Sequence, residues 1–194
     1  MITHINGKLV EKTPTYVVID VNGIGYKIKI SLQTFSSINS EACKLFTHLS
    51  VKEDSHTLFG FFVESERHLF RNLISVSGVG PSTAQLILST FSTEEIIHHI
   101  TTADVKAIQS VKGIGGKTAQ RIIIDLKDKV AKGMPTSDLL FDKVDNTIKE
   151  EALSALLALG FAKKGAESKI DRVLKANPQV SSVEELVKTA LSQM

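Results

Sequence analysis

An eleven-residue segment of this 194-residue chain occurs twice, and this repeat restricts the possible fold more than any other feature. The segment from Ser75 to Gln85 recurs 35 residues later, from Ser110 to Gln120, with seven of the eleven positions identical. Each copy contains a Gly-x-Gly triplet, at residues 78–80 in the first copy and 113–115 in the second. Two copies are too few for a solenoid, so the repeat favours a paired motif.

Each copy is predicted to form a helix, a tight turn and a second helix. Glycine permits positive φ in the turn and leaves it without side chains. The amides that open the second helix lack intrahelical partners and lie at the positive end of the helix dipole, which makes an anion site. Val79 and Ile114 are expected to point inward, while Lys117 and Arg121 lie one helical turn apart and can reach the same row of phosphates. Such backbone contacts carry little base specificity.

Composition limits the remaining possibilities. The net charge is only +2, so DNA binding has to come from a local arrangement of groups rather than from a global positive field. Cys43 is the only cysteine, which excludes an intrachain disulfide and indicates a reduced, cytoplasmic setting. No apolar run approaches the roughly 18 residues of a membrane-spanning helix, so no membrane partner is expected.

The pattern of residues changes along the chain and predicts a multidomain α+β protein. Short runs rich in β-branched residues, with the turn dipeptide Asn22-Gly23 between two of them, predict an OB-like β-barrel. Helical periodicity follows, with a capping box formed by Ser92 and Glu95. We predict a barrel at 1–62, an all-α domain with both motifs at 63–132, a flexible linker at 133–146 and a small three-helix module at 147–194.

No arrangement of residues predicts catalysis, a cofactor or a metal ion. The segment from Gly115 to Thr118 resembles the end of a nucleotide-binding P-loop, but Val111 stands where that motif needs glycine. The histidines show no metal-ligand spacing. Two alternatives to a non-catalytic DNA-binding protein stay open. One is a nuclease or glycosylase, for which Asp125 is the nearest acid, and the other is a scaffold that binds proteins.

At this point the chain resembles the RuvA family, the Holliday-junction-binding subunits of the bacterial branch-migration complex. The resemblance covers essentially the whole chain and includes residues 22–26, 52–54, 58–61 and 151–161 besides both Gly-x-Gly motifs. It implies a barrel that builds a homotetramer, tandem helix-hairpin-helix motifs that bind four-way junction DNA, and a UBA-like module that binds the hexameric ATPase RuvB. It leaves open a second, stacked tetramer and contact with the resolvase RuvC.

The resemblance also assigns roles outside the repeat. Glu53 and Asp54 are predicted at a hairpin tip, where the residues alone favour a solvated turn. The family pattern instead makes them an acidic pin that keeps strands apart at the centre of the tetramer. Leu156, Leu159 and Phe161 match the family's motor-binding surface, with Phe161 replacing the commoner tyrosine.

Two positions in the repeat depart from the family pattern. Ser82 and Gly116 stand where relatives often carry lysine, so phosphate binding should depend more on backbone amides. The predicted DNA-contacting residues are Gly78, Val79, Gly80, Ser82, Thr83, Gly113, Ile114, Gly115, Gly116, Lys117, Thr118 and Arg121.

Overall fold

The computed structural model describes residues 2–131, 144–177, 180 and 182–192. The chain divides into two compact units, residues 1–137 and 138–194. The first unit begins with β1 (His4–Lys12), β2 (Tyr16–Val21), β3 (Ile24–Ile30), α1 (Leu32–Ser37), β4 (Ala42–Val51) and β5 (His56–Phe61). It continues with α2 (Glu64–Ile74), α3 (Pro81–Thr90), α4 (Thr93–Thr101), α5 (Val105–Gln109) and α6 (Gly116–Ala131). The second unit contains α7 (Val144–Ala158), α8 (Lys163–Ala176) and α9 (Val183–Ser192).

The five strands close into a barrel in the order β1-β2-β3-β5-β4, which confirms the predicted fold of this region. Neighbouring strands are antiparallel except for β3 and β5, which run parallel. A parallel pair needs a crossover, and α1 together with β4 connects β3 to β5. The barrel core is apolar and consists of Ile5, Val17, Ile19, Ile28, Ile30, Ile38, Cys43 and Leu45.

Helix α1 has no counterpart in the sequence prediction. It is six residues long, which is too short to show a helical period. Ser31 caps its start, and the Ser31 Oγ accepts a hydrogen bond from the amide of Thr34 at 3.0 Å.

The predicted hairpin between β2 and β3 is confirmed. Asn22 and Gly23 have φ values of 53° and 86°, and strands paired through a two-residue turn of positive φ keep their normal twist. The amide of Gly23 donates to Oδ1 of Asp20 at 3.1 Å. On β3, Lys27 and Lys29 are exposed and alternate with the buried Ile28 and Ile30.

Helix α2 packs directly against the barrel. Phe70 lies with its ring centre 5.2 Å from that of Phe59 and 4.9 Å from that of Phe61, and both partners are on β5. These phenylalanines belong to the same buried core as α2 to α6. The last strand of the barrel therefore contributes to the core of the helices, beside the separate core inside the barrel. The domain boundary expected after residue 62 stays a prediction. The capping box of Ser92 and Glu95 at the start of α4 is confirmed.

The second unit is a three-helix module, as predicted. Gly160, with φ of 93°, lies between α7 and α8. The linker was predicted at residues 133–146. Residues 133–143 lie outside the described residues, and residues 144–146 belong to α7. Within the described ranges, no helix is long and apolar enough to cross a membrane. The buried core of the module includes Ala152, Leu156, Ala166, Ile170, Val173, Leu186 and Ala190.

A buried carboxylate links α2 to α1. Glu66 is 2% exposed and accepts hydrogen bonds from the hydroxyls of Ser31 and Thr34, the latter at 2.7 Å. Burial raises the pKa of the Glu66 carboxyl above its usual value of 4.5, although the two hydroxyl donors oppose the shift. The folded protein therefore holds the proton on Glu66 more tightly than the unfolded chain does.

This difference predicts a pH dependence of stability. A carboxyl whose pKa is raised by folding stabilises the fold most below its unfolded pKa, and this contribution is lost as pH rises through the folded pKa. We expect the wild type to lose stability relative to Glu66→Gln as the pH rises above about 4.5, because the carboxyl must then ionise in its buried site and the amide does not. Urea unfolding of both proteins at several pH values measures the effect. A difference in unfolding free energy that stays constant with pH would contradict the assignment.

Candidate nucleic-acid interface

The two Gly-x-Gly turns lie between matching pairs of helices. Helices α2 and α3 flank the first turn, α5 and α6 flank the second, and α4 joins the two pairs. The predicted helix-turn-helix arrangement of each repeat copy is therefore confirmed. Both pairs contribute to one buried core, so the two turns belong to a single compact unit.

The same hydrogen bond holds the centre of each turn. The amide of Val79 donates to the carbonyl oxygen of Val76 at 3.0 Å, and the amide of Ile114 donates to that of Val111 at 3.1 Å. The side chains of Val79 and Ile114 are each 5% exposed, which confirms that they point inward. Of these two residues, only the backbone can therefore face a ligand.

The two glycines of each turn have different roles. Gly78 and Gly113 have φ of 91° and 87°, a region that strains other residues. Gly80 has φ of −86° and Gly115 also lies outside the positive region, so conformation does not require glycine at these second positions. A Cβ atom built at any of the four would meet nothing within 4 Å. The outer side of each turn is thus open enough for another backbone to approach.

The first turns of α3 and α6 present unpaired amides. Among the residues that the structure describes, the amides of Ser82, Thr83, Lys117 and Thr118 donate to no protein acceptor. These N–H groups lie at the positive ends of two helix dipoles, which favours an anion at each site. Pro81 is the first residue of α3 and has no N–H, so the first motif has one donor fewer than the second, where Gly116 stands.

The charged side chains are distributed unequally between the motifs. In the second motif Lys117 and Arg121 are exposed on α6 one helical turn apart. Lys112, which is not among the predicted DNA-contacting residues, is also exposed directly before this turn. Alignment of the two copies could have identified Lys112, because it is a cation at a position where the first motif has the uncharged Ser77. The counterpart of Lys117 is the exposed Ser82, so the first motif has no cation of its own at either position.

The predicted acidic pin lies in the turn between β4 and β5. Glu53 and Asp54 are both exposed. Hydrogen bonds between the backbones of Lys52 and Ser55, at 2.8 and 3.4 Å, close this turn. Neither carboxylate forms an ion pair with any described residue. The negative charge of the turn is therefore available to a ligand, although this geometry also fits a solvated turn.

The predicted partner-binding residues of the second unit do not share one environment. Leu159 is 61% exposed and Phe161 is 37% exposed, close to the turn at Gly160. Leu156 is fully buried in the three-helix core, so its expected surface role is wrong. Leu157, next to it in sequence, is 40% exposed and extends the apolar surface instead.

Other reactive side chains do not form a second site. Cys43 is buried in the barrel, where burial raises the pKa of its thiol and disfavours the reactive thiolate. Asp125 is exposed on α6. Within the described part of the chain, no group of three or more His, Cys, Asp or Glu side chains could hold a metal ion.

A closed five-stranded barrel joined to two equivalent helix-hairpin-helix motifs defines a tandem helix-hairpin-helix protein. Residues 1–60 match the family model "RuvA N terminal domain", residues 70–128 match "SAM-like Helix-hairpin-helix tandem", and residues 147–194 match "RuvA, C-terminal domain". The chain belongs to the RuvA family.

Three relatives align with the chain along their whole length. A protein of Christiangramia forsetii is 56% identical over 195 residues, and one of Flavobacterium psychrophilum is 50% identical over 195 residues. A third, from Bacteroides thetaiotaomicron, is 41% identical over 202 residues. In all three pairs the alignment covers 100% of both chains, and each relative is named Holliday junction branch migration complex subunit RuvA.

The positive φ of Gly113 predicts a specific order of stabilities. Gly113→Ala should lower the unfolding free energy by about 1 to 2 kcal/mol, the cost of placing a Cβ in the left-handed region. Gly113→Asn should cost less, because asparagine adopts this region more readily. The space around Gly113 is open, so we expect no steric loss of stability. If steric crowding did limit this position, the larger asparagine would lower the unfolding free energy more than alanine does. Chemical denaturation of the three proteins decides between the two orders.

Proposed function

We propose that this chain is the non-catalytic subunit that binds four-way junction DNA in a branch-migration complex. Membership of the RuvA family supports this proposal. The observation that carries it is the duplicated turn, with unpaired amides at the starts of two helices in one compact unit. Two such anion sites can hold two stretches of phosphate backbone without reading base sequence. That property suits a junction whose position changes along the DNA.

The proposed subunit acts as a tetrameric platform with the acidic turn at its centre. In the proposed tetramer, four copies of Glu53 and Asp54 meet near the point where strands exchange, and two hairpin motifs grip each arm. Carboxylates placed among phosphates repel them, which keeps the crossover open and unstacked. The exposed position of both acids, without ion pairs among the described residues, is what this role requires.

The second unit is the proposed site for the hexameric ATPase RuvB. Leu157, Leu159 and Phe161 give the module an exposed apolar surface near its first turn. Contiguous exposed apolar side chains mark protein-protein contacts in soluble proteins. In this proposal ATP hydrolysis occurs in the motor, and the chain itself recruits and directs it.

Junction binding can be tested directly by gel shift. The full-length protein should bind a four-way junction more tightly than a linear duplex of the same sequence. If six or more phosphates are contacted, affinity should fall on the order of 10³-fold over a fourfold rise in salt. Lys117→Gln combined with Arg121→Gln should weaken binding and reduce the salt dependence, because two cations leave the interface.

The alternatives have distinct outcomes in the same assay. Equal binding of junction and duplex would contradict junction recognition, and a lack of any DNA binding would favour a protein scaffold. Labelled junction incubated with Mg²⁺ tests the nuclease alternative, since cleavage products would require a catalytic chain.

The pin is tested by removing its charge. Glu53→Gln combined with Asp54→Asn should leave junction affinity unchanged or raised, because repulsion of phosphates is lost. Branch migration with the motor should change, since the crossover is no longer held open in the same way. Gel shift measures the junction affinity, and strand exchange of a labelled junction measures branch migration. A large loss of junction affinity would show that the two acids contribute to the grip instead.

A further inference from the structure

A small polar cavity lies between the acidic turn and the first helix-hairpin-helix motif. Its volume is about 170 Å³. Lys29 lines it from β3, Lys52 and Ser55 line it from the turn between β4 and β5, and Ser82 lines it from the first turn of α3. Three separate parts of the first unit therefore contribute polar side chains to one space.

The cavity carries positive charge without a protein counter-charge. Lys29 and Lys52 are exposed, and neither forms an ion pair within the described residues. The ammonium of Lys29 lies 6.0 Å from the centre of the Phe59 ring, at the edge of a cation–π contact. Glu53 and Asp54 are neighbours of Lys52 in sequence, yet neither lines the cavity. Two cations and several hydroxyls around a small open space make a suitable environment for one phosphate group.

This charge lies where the first motif lacks its own. Ser82 stands at the position of Lys117 in the repeat, and Pro81 removes an amide donor that the second motif retains. Ser82 is shared by the motif and the cavity. The barrel thus places two lysines beside the helix start that has neither the cation nor the full set of amides.

The geometry points to a phosphate-binding site in this cavity, with Lys29 and Lys52 as its cations and a DNA phosphodiester as its ligand. The inference rests on the proposed function and extends the contact surface from the helices to the barrel. The bound phosphate belongs to the strand that the first motif grips, on the path toward the acidic turn. Lys29 and Lys52 then replace, from the barrel, the lysine that the first motif lacks.

Charge-removing variants test this assignment. Lys29→Gln and Lys52→Gln together should weaken junction binding about three- to tenfold and lower the slope of log affinity against log salt by about one, as expected for one phosphate. Lys44→Gln is the matched control, because Lys44 is an exposed barrel lysine that does not line the cavity. It should leave the slope unchanged. Thermal unfolding should be the same for all variants, since the three lysines are exposed.

A rescue variant gives a sharper test. Adding Ser82→Lys to the double variant places an ammonium at the border of the same cavity and should restore both affinity and salt slope. A second test uses junctions in which one phosphate is replaced by a neutral methylphosphonate, at positions moved stepwise out from the crossover. At one position in each arm the replacement should weaken junction binding by the wild type. At the same position it should leave junction binding by the double variant unchanged.

The outcomes separate this inference from the proposed function. If the wild type binds the junction but the double variant behaves like Lys44→Gln, or Ser82→Lys restores nothing, the phosphate site is wrong and junction binding stands. If the wild type does not prefer the junction over duplex, the proposed function is wrong. The phosphate site is then wrong as well, because its proposed ligand is a phosphodiester of the junction.

Discussion

The attachment of α2 to the barrel determines where the first helix-hairpin-helix motif stands. Glu66 bonds to α1, while the neighbouring Arg67 donates to the carbonyl oxygen of Thr3 at 2.8 Å and lies 5.3 Å from the ring centre of Phe46. Both side chains are largely buried, so removing a partner of either would leave a buried polar or charged group unsatisfied, at a cost of about 3 to 5 kcal/mol for a charge. Because α2 leads straight into the turn at Gly78, this attachment also sets the distance between the motif and the acidic turn.

The two motifs share a backbone and differ in their side chains. Their central hydrogen bonds differ by only 0.1 Å, and both first glycines have φ near 90°. The side chains that would meet a ligand have diverged, with Lys112 and Lys117 in one copy and Ser77 and Ser82 in the other. The buried half of the repeat is therefore preserved by packing and backbone conformation. The exposed half is free to vary, and a neighbouring part of the fold can supply what one copy lacks.

Features governed by local conformation could be predicted from the sequence. The Gly-x-Gly turns, the Asn22-Gly23 hairpin and the capping box at Ser92 each depend on residues close together in the chain, and each is confirmed. Features that depend on distant contacts could not. The parallel pairing of β3 with β5 has no sequence signal, because alternation shows which face is buried and not which strand is the neighbour. The cavity beside Ser82 was missed for the same reason.

Leu156 shows a different limit. Resemblance to a family transfers a residue's identity but not its exposure, and Leu156 is fully buried. The sequence held a warning, since Ala152 and Leu156 are four residues apart on one face of α7 and both belong to the core. Helical spacing was thus better evidence for the burial of this leucine than the family pattern was for its exposure.

The low net charge of +2 is consistent with a grip built from local groups. A strongly basic surface would attract any duplex, because nonspecific affinity grows with the number of phosphates neutralised. Unpaired amides act only on a phosphate that reaches the helix start, and their partial charges fall off within about one turn. In the proposed complex, weak long-range attraction combined with repulsion from Glu53 and Asp54 would penalise a continuous duplex across the centre. The proposed preference for a junction would then depend on the absence of positive charge at the centre as well as on the cations of Lys117 and Arg121.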